Sequence, residues 1–138
     1  MLAFRAMVAL LLGACSSSLP EPPLIAQPSS EFAEVPYPPP PALAEAVPER
    51  PKNCDCVWIE GSWKFRTKSY AWQRGGWFIR PPNALYARPK TQFAPDGRIM
   101  YAAGRWYDAR GAGLEHVRPV VPALRPKNEY TSEEETAR

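Results

Sequence analysis

The segments "WIEGSW" at positions 58–63 and "WQRGGW" at positions 72–77 share one pattern, W-x-x-G-x-W, and hold four of the five tryptophans of a 138-residue chain. "YAAGRW" at 101–106 is a looser copy and holds the fifth. The two clean copies start 14 residues apart, a period that suits one strand and one turn. Pairing "VWIEGSWKF" with "YAWQRGGWFI" antiparallel about the turn "RTKS" sets Phe65 opposite Tyr70. The same register sets Trp63 opposite Trp72 and Trp58 opposite Trp77, because the numbers of each pair sum to 135. Opposed aromatic pairs contribute roughly 0.2–1 kcal/mol each. A register that matches three of them is therefore preferred to its neighbours, and the segment reads as a hairpin with a cross-strand aromatic ladder.

Side chains alternate along a strand, so Trp63, Phe65, Tyr70 and Trp72 share one face. Trp58 and Trp77 then fall on the other face unless an extra residue bulges out. Gly61, Gly75 and Gly76 stand where the chain either re-aims the second tryptophan or leaves room for a facing ring. A second hairpin follows. "ALYARPKTQF" leads into "APDG", with Pro95 and Gly97 at the second and fourth places of a type I turn, and "RIMYAAGRWYD" returns. The expected fold is mainly β, a small twisted antiparallel sheet of about four strands in two hairpins. Pro89 places the third strand at an edge.

The flanks differ in composition. Eleven of the 18 prolines lie between Pro20 and Pro51. Positions 16–50 carry five Glu against one Arg, positions 51–127 fourteen Lys and Arg against five acids, and positions 128–138 four Glu against one Arg. A basic centre thus sits between acidic flanks. The expected organisation is a lipoprotein signal peptide over 1–14, a lipidated Cys and disordered Pro-rich tether over 15–51, a Trp-repeat β module over 52–110, a Pro-rich strap over 111–127 and an acidic disordered tail over 128–138. A tether of this kind would reach about 110 Å in the polyproline II conformation and would lift the module off a surface.

The leader "MLAFRAMVALLLGACSSS" has one arginine, a short apolar run and small residues before Cys15. The run is too short to span a bilayer as a helix, and its shape is that of a secretory signal. Leu12-Gly13-Ala14-Cys15 resembles the bacterial lipobox. That resemblance implies cleavage before Cys15 and a covalent diacylglycerol/acyl lipid on Cys15, attached through its sulfur. Ser16, in place of an inner-membrane retention Asp, implies the outer membrane, and the expected side is the periplasmic face. In the module, "YAWQRGGW" resembles the Y-x-W-x-x-G-x-W repeat of small bacterial envelope lipoproteins and secreted proteins. The first copy has Cys56 where the leading Tyr would stand, and the third has Tyr101 for the first Trp. The resemblance covers about 56–108 and implies an envelope location and a β-rich repeat module, with no activity attached.

Catalytic constellations are poorly supplied. The one histidine, His116, lies in the C-terminal segment, and there is no Gly-x-Ser-x-Gly elbow or phosphate-cradling loop. The module's acids are Asp55, Glu60, Asp96, Asp108 and Glu115, and Asp96 is explained by its turn. Cys54 and Cys56 remain as an even pair once Cys15 is lipidated, so a local disulfide ranks first, intermolecular bonds second and a metal last. Their separation is expected near the upper limit for a disulfide. The expected function is that of a non-enzymatic lipoprotein without cofactor or metal, binding peptidoglycan, another anionic envelope polymer or an envelope protein, and no nucleic acid. Candidate contacts are Trp58, Trp63, Trp72, Trp77, Trp106 and Tyr70, stacking on sugars, with Arg66 and Arg74 holding acids. The rival readings are an accessory subunit of a secretion, export or motility complex and a thiol-redox protein using Cys54 and Cys56.

Overall fold

Residues 56–79 form the hairpin that the aromatic register dictates. The computed structural model describes residues 18–125. The expected signal peptide, Cys15 and the expected disordered tail lie outside the described residues. Among those described, a single 3-10 turn (Ser29–Glu31) and ten short strands are present: β1 (Ala33–Val35), β2 (Cys56–Ile59), β3 (Ser62–Arg66), β4 (Ser69–Gln73), β5 (Gly76–Ile79), β6 (Leu85–Ala87), β7 (Lys90–Phe93), β8 (Ile99–Ala102), β9 (Arg105–Tyr107) and β10 (Val121–Pro122). β2 pairs with β5 and β3 with β4, both antiparallel, and Trp58↔Trp77, Trp63↔Trp72 and Phe65↔Tyr70 are all direct opposites. The register is the same on both sides of a break at Glu60-Gly61 and Arg74-Gly75. Two residues drop out of pairing on each arm, so neither arm gains an extra position and no bulge is needed.

Glycine makes that break possible. A Cβ on Gly75 would overlap the carbonyl of Ile59 and the amide of Gly61, so the two backbones approach too closely for a side chain. A Cβ on Gly61 would overlap the Trp72 ring and the Glu45 carboxylate. Gly61 therefore leaves room for a facing ring, and Gly75 lets the backbones close.

The second hairpin repeats the design. β6 pairs with β9 and β7 with β8 in one register, with Tyr86↔Trp106 and Thr91↔Tyr101 as opposites. It too breaks between its paired segments, at Arg88-Pro89 and Ala103-Gly104. Gly104 stands where Gly75 does, and Pro89 takes the place of Gly61. Proline is accommodated there because the position lies outside the ladder and needs no N–H. The turn closes as expected: the Gly97 amide donates to the Ala94 carbonyl at 2.9 Å, and Gly97 has φ +87°.

The hairpins do not merge into one four-stranded sheet. Pairing resolves into four small sheets, β1-β8-β7, β10-β5-β2, β3-β4 and β6-β9. The two hairpins meet through side chains. Ile59, Phe78, Ala84, Tyr86 and Trp106 form one core, and Cys56, Trp58, Trp77 and Ala123 form the other. β7 pairs with β8 alone and is an edge, as Pro89 suggests.

The expectation of a disordered tether does not hold for residues 18–51, which pack along both hairpins. The Trp58 amide donates to the Pro20 carbonyl at 2.8 Å, Leu24 bridges Tyr86, and β1 adds to β8 with Val35 buried. Ala46 exchanges both backbone bonds with Leu124, at 3.1 and 2.9 Å. Proline removes donors but leaves every carbonyl as an acceptor. A Pro-rich segment can therefore dock wherever a surface supplies N–H groups, and the tryptophan ladder supplies them.

Candidate functional site

The ladder is filled by the chain's own Pro-rich segment. Tyr37 packs edge-on against Phe65 and Tyr70 at the hairpin tip, at 6.1 and 5.6 Å between ring centroids. The Tyr70 hydroxyl donates to the Tyr37 carbonyl at 3.0 Å. Further along, the Trp63 indole donates to the Pro41 carbonyl at 3.1 Å, and the Trp72 indole donates to Glu45 Oε1 at 2.9 Å. Glu45 Oε2 accepts from the Gly75 amide at 2.9 Å. The Trp77 indole donates to the Pro48 carbonyl at 2.9 Å, and the Arg50 guanidinium lies 5.8 Å from the Trp77 ring centroid. Indole donors aimed at the carbonyls of an extended Pro-rich segment are the physics of polyproline recognition, here within one chain. The break in the hairpin lets tryptophans five apart address the same segment.

The rings also pack on one another. Trp58–Trp77, Trp63–Trp72 and Tyr86–Trp106 are edge-to-face pairs with centroids 5.4, 5.0 and 5.4 Å apart, the arrangement that aromatic quadrupoles favour. Trp58, Trp77 and Trp106 are buried and Trp63 and Trp72 half-buried. Trp58, Trp77 and Trp106 therefore present no face on which a sugar could stack, contrary to the expectation for them. Tyr70 is likewise engaged by Tyr37 and by Tyr101 at 5.5 Å. Arg66 stands exposed at the tip, and Arg74 donates to the Ala123 carbonyl.

Cys54 and Cys56 are joined as a local disulfide, with Cα atoms 5.1 Å apart. That lies inside the usual 4.4–6.8 Å range, not at its upper limit. Cys56 is fully buried in the second core, which removes it from solution thiols. Among the described residues, no group of three or more His, Cys, Asp or Glu could hold a metal ion.

A cleft of about 390 Å³ opens between the hairpins. Lys64, Gln73 and Arg74 line it from the first hairpin, Arg105 and Trp106 from the second, and His116 from the C-terminal segment. Arg105 bonds Glu31 at 3.0 Å and also pairs with Glu115. Burial opposes the Arg105 charge, but the bond to Glu31 and the fields of Glu115 and Glu31 outweigh it and raise its pKa. The Trp106 indole N–H is buried with no acceptor among the described residues. His116 holds φ +59°, an uncommon conformation for a non-glycine residue.

The cleft shares only Trp106 and Arg74 with the contacts foreseen from sequence. Glu31, Glu45, Tyr86 and Arg105 were not foreseen. For Glu45 a signal exists, an acid inside an otherwise apolar Pro and Ala run. For Tyr86 it is the five-residue spacing to Thr91, matching Tyr101 to Trp106. No family model, curated protein or solved structure matches this chain.

Proposed function

We propose that this chain is a non-enzymatic, lipid-anchored protein of the outer membrane, presenting a Pro-strapped β module in the periplasm that binds cell-wall polymer in the cleft between the hairpins. The observation that carries the choice of cleft over ladder is the fate of the indole donors. Trp63, Trp72 and Trp77 give theirs to the Pro-rich segment, so the ladder is already occupied, whereas the cleft is open to solvent between the hairpins. Lys64 and Arg74 offer charge to carboxylates, and Glu60 offers an acceptor to amines. Wall peptide, which carries both groups on a sugar backbone, matches that mixture. The lipobox resemblance at Leu12-Gly13-Ala14-Cys15 supports the anchor and the address.

Co-sedimentation of the full chain with purified sacculi, at low and high salt, tests this reading. Binding should weaken with salt and fall at least tenfold in Lys64→Ala/Arg74→Ala, with Arg66→Ala as a control at the distant tip. Equal binding by all three would remove the cleft as the site. No binding by the native chain would overturn the polymer reading and leave a protein partner in an envelope complex. The thiol-redox reading finds no support in a buried Cys56.

A further inference from the structure

A second cleft lies where the described chain begins. It has a volume of about 430 Å³, and Ser18 and Leu19 are part of its wall. The remaining lining is largely apolar, with Pro22, Leu24, Trp58, Ile59 and Pro89 among it. Its size is within the range of small-ligand pockets. Leu19 and Leu24 remain 37% and 45% exposed, so the rim presents leucine to solvent. Within the wall stands Trp58, 4% exposed, whose indole N–H has no acceptor among the described residues. Arg88 pairs with Glu21 at 2.8 Å, and Glu60 adds a further carboxylate to the lining. The cleft therefore suits a long apolar body with an uncharged head, since an anionic head would meet an excess of carboxylate.

We propose that this cleft holds an acyl chain of the protein's own lipid anchor, its apolar length lying against Leu19, Leu24 and Trp58. The proposal rests on the reading of Cys15 as the lipidated residue. Chain length makes it reachable. Cys15 precedes Ser18 by three residues, about 10 Å when extended, and Ser18 is itself in the wall of the cleft. The Pro20 carbonyl then fixes the segment by accepting from the Trp58 amide. With residues 20–50 docked, the slack between lipid and module is a few residues. The module lies against the membrane instead of standing away from it, and one acyl chain can leave the leaflet for the cleft.

The test uses the mature chain in two forms, extracted from membranes and produced with an unmodified Cys15. Intact mass establishes the lipid first. Methyl dibromostearate, an uncharged ester whose bromines quench nearby indoles, is then titrated into each form. The unmodified chain should show saturable quenching at one equivalent, at least tenfold weaker in Leu19→Arg/Leu24→Glu, a variant of two exposed positions. The lipidated chain should show none, its cleft being filled. Absence of saturable quenching in the unmodified chain, or equal quenching in both forms, would overturn the proposal. A membrane-derived chain with a free Cys15 thiol would overturn the anchor reading itself. Quenching in that case would assign the cleft to a free lipid and reject the anchor as its occupant.

Discussion

Glu45 accepts from two donors at once, the Trp72 indole and the Gly75 amide, each at 2.9 Å. Gly75 is buried and belongs to the break in the hairpin. Truncation of Glu45 strands both donors, and hydrogen bonds to charged groups contribute about 1.5–3 kcal/mol. Glu45→Ala should therefore lower stability by about 2–3 kcal/mol, and Glu45→Gln, which keeps one acceptor, by about half as much, read from urea midpoints at constant slope. Thr67 works in the opposite sense. It holds φ +54° in the two-residue turn between β3 and β4, a region disfavoured for a β-branched residue. Thr67→Asn should raise stability by about 1 kcal/mol, because asparagine tolerates that conformation. A fall would mean that the Thr67 side chain has a compensating role.

Within each hairpin the aromatic pairs couple the arms. A double-mutant cycle on Trp63 and Trp72, whose centroids are 5.0 Å apart, should return a coupling of about 0.5–1.5 kcal/mol. A coupling of zero would mean that the segment over them, and not the pair, holds them. This element was legible in the sequence because three aromatic pairs agree on one register, and a one-residue slip would separate all of them. The second hairpin was legible at its turn but not at its ladder. Its first arm, "YARPKT", has neither the tryptophan nor the glycine of the pattern, and only the structure shows Tyr86 opposite Trp106. The Pro-rich segment was misread for a physical reason. Polyproline conformation carries no periodicity of burial, and a carbonyl that accepts from an indole leaves no mark in the sequence.

Across the whole molecule the Pro-rich segment packs along both hairpins, and buried phenols tie the hairpins together. The Tyr101 hydroxyl donates to the Trp63 carbonyl at 2.6 Å, linking the second hairpin to the first. Burial pushes Tyr101 up to about 12, with the neighbouring Tyr70 adding to the shift, and burial likewise pushes Tyr86 up to about 12. In the folded state these phenols hold their protons where the unfolded chain releases them near pH 10. Stability should therefore be full below about pH 10 and fall between about pH 10 and 12, by on the order of 2 kcal/mol per phenol. Tyr101→Phe should flatten that alkaline slope in a pH series of urea midpoints; an unchanged slope would place the titration elsewhere. The measurement that tests the central claim most directly is hydrogen exchange at the tryptophan indole N–H groups of the full chain, followed by NMR. If the chain's own Pro-rich segment fills the ladder, the Trp72 and Trp77 indole protons exchange orders of magnitude more slowly than a free indole. In Glu45→Ala, protection at Trp72 is then lost first. Rapid exchange at both in the native chain would contradict the account, leaving the segment a free tether and the ladder open to a ligand.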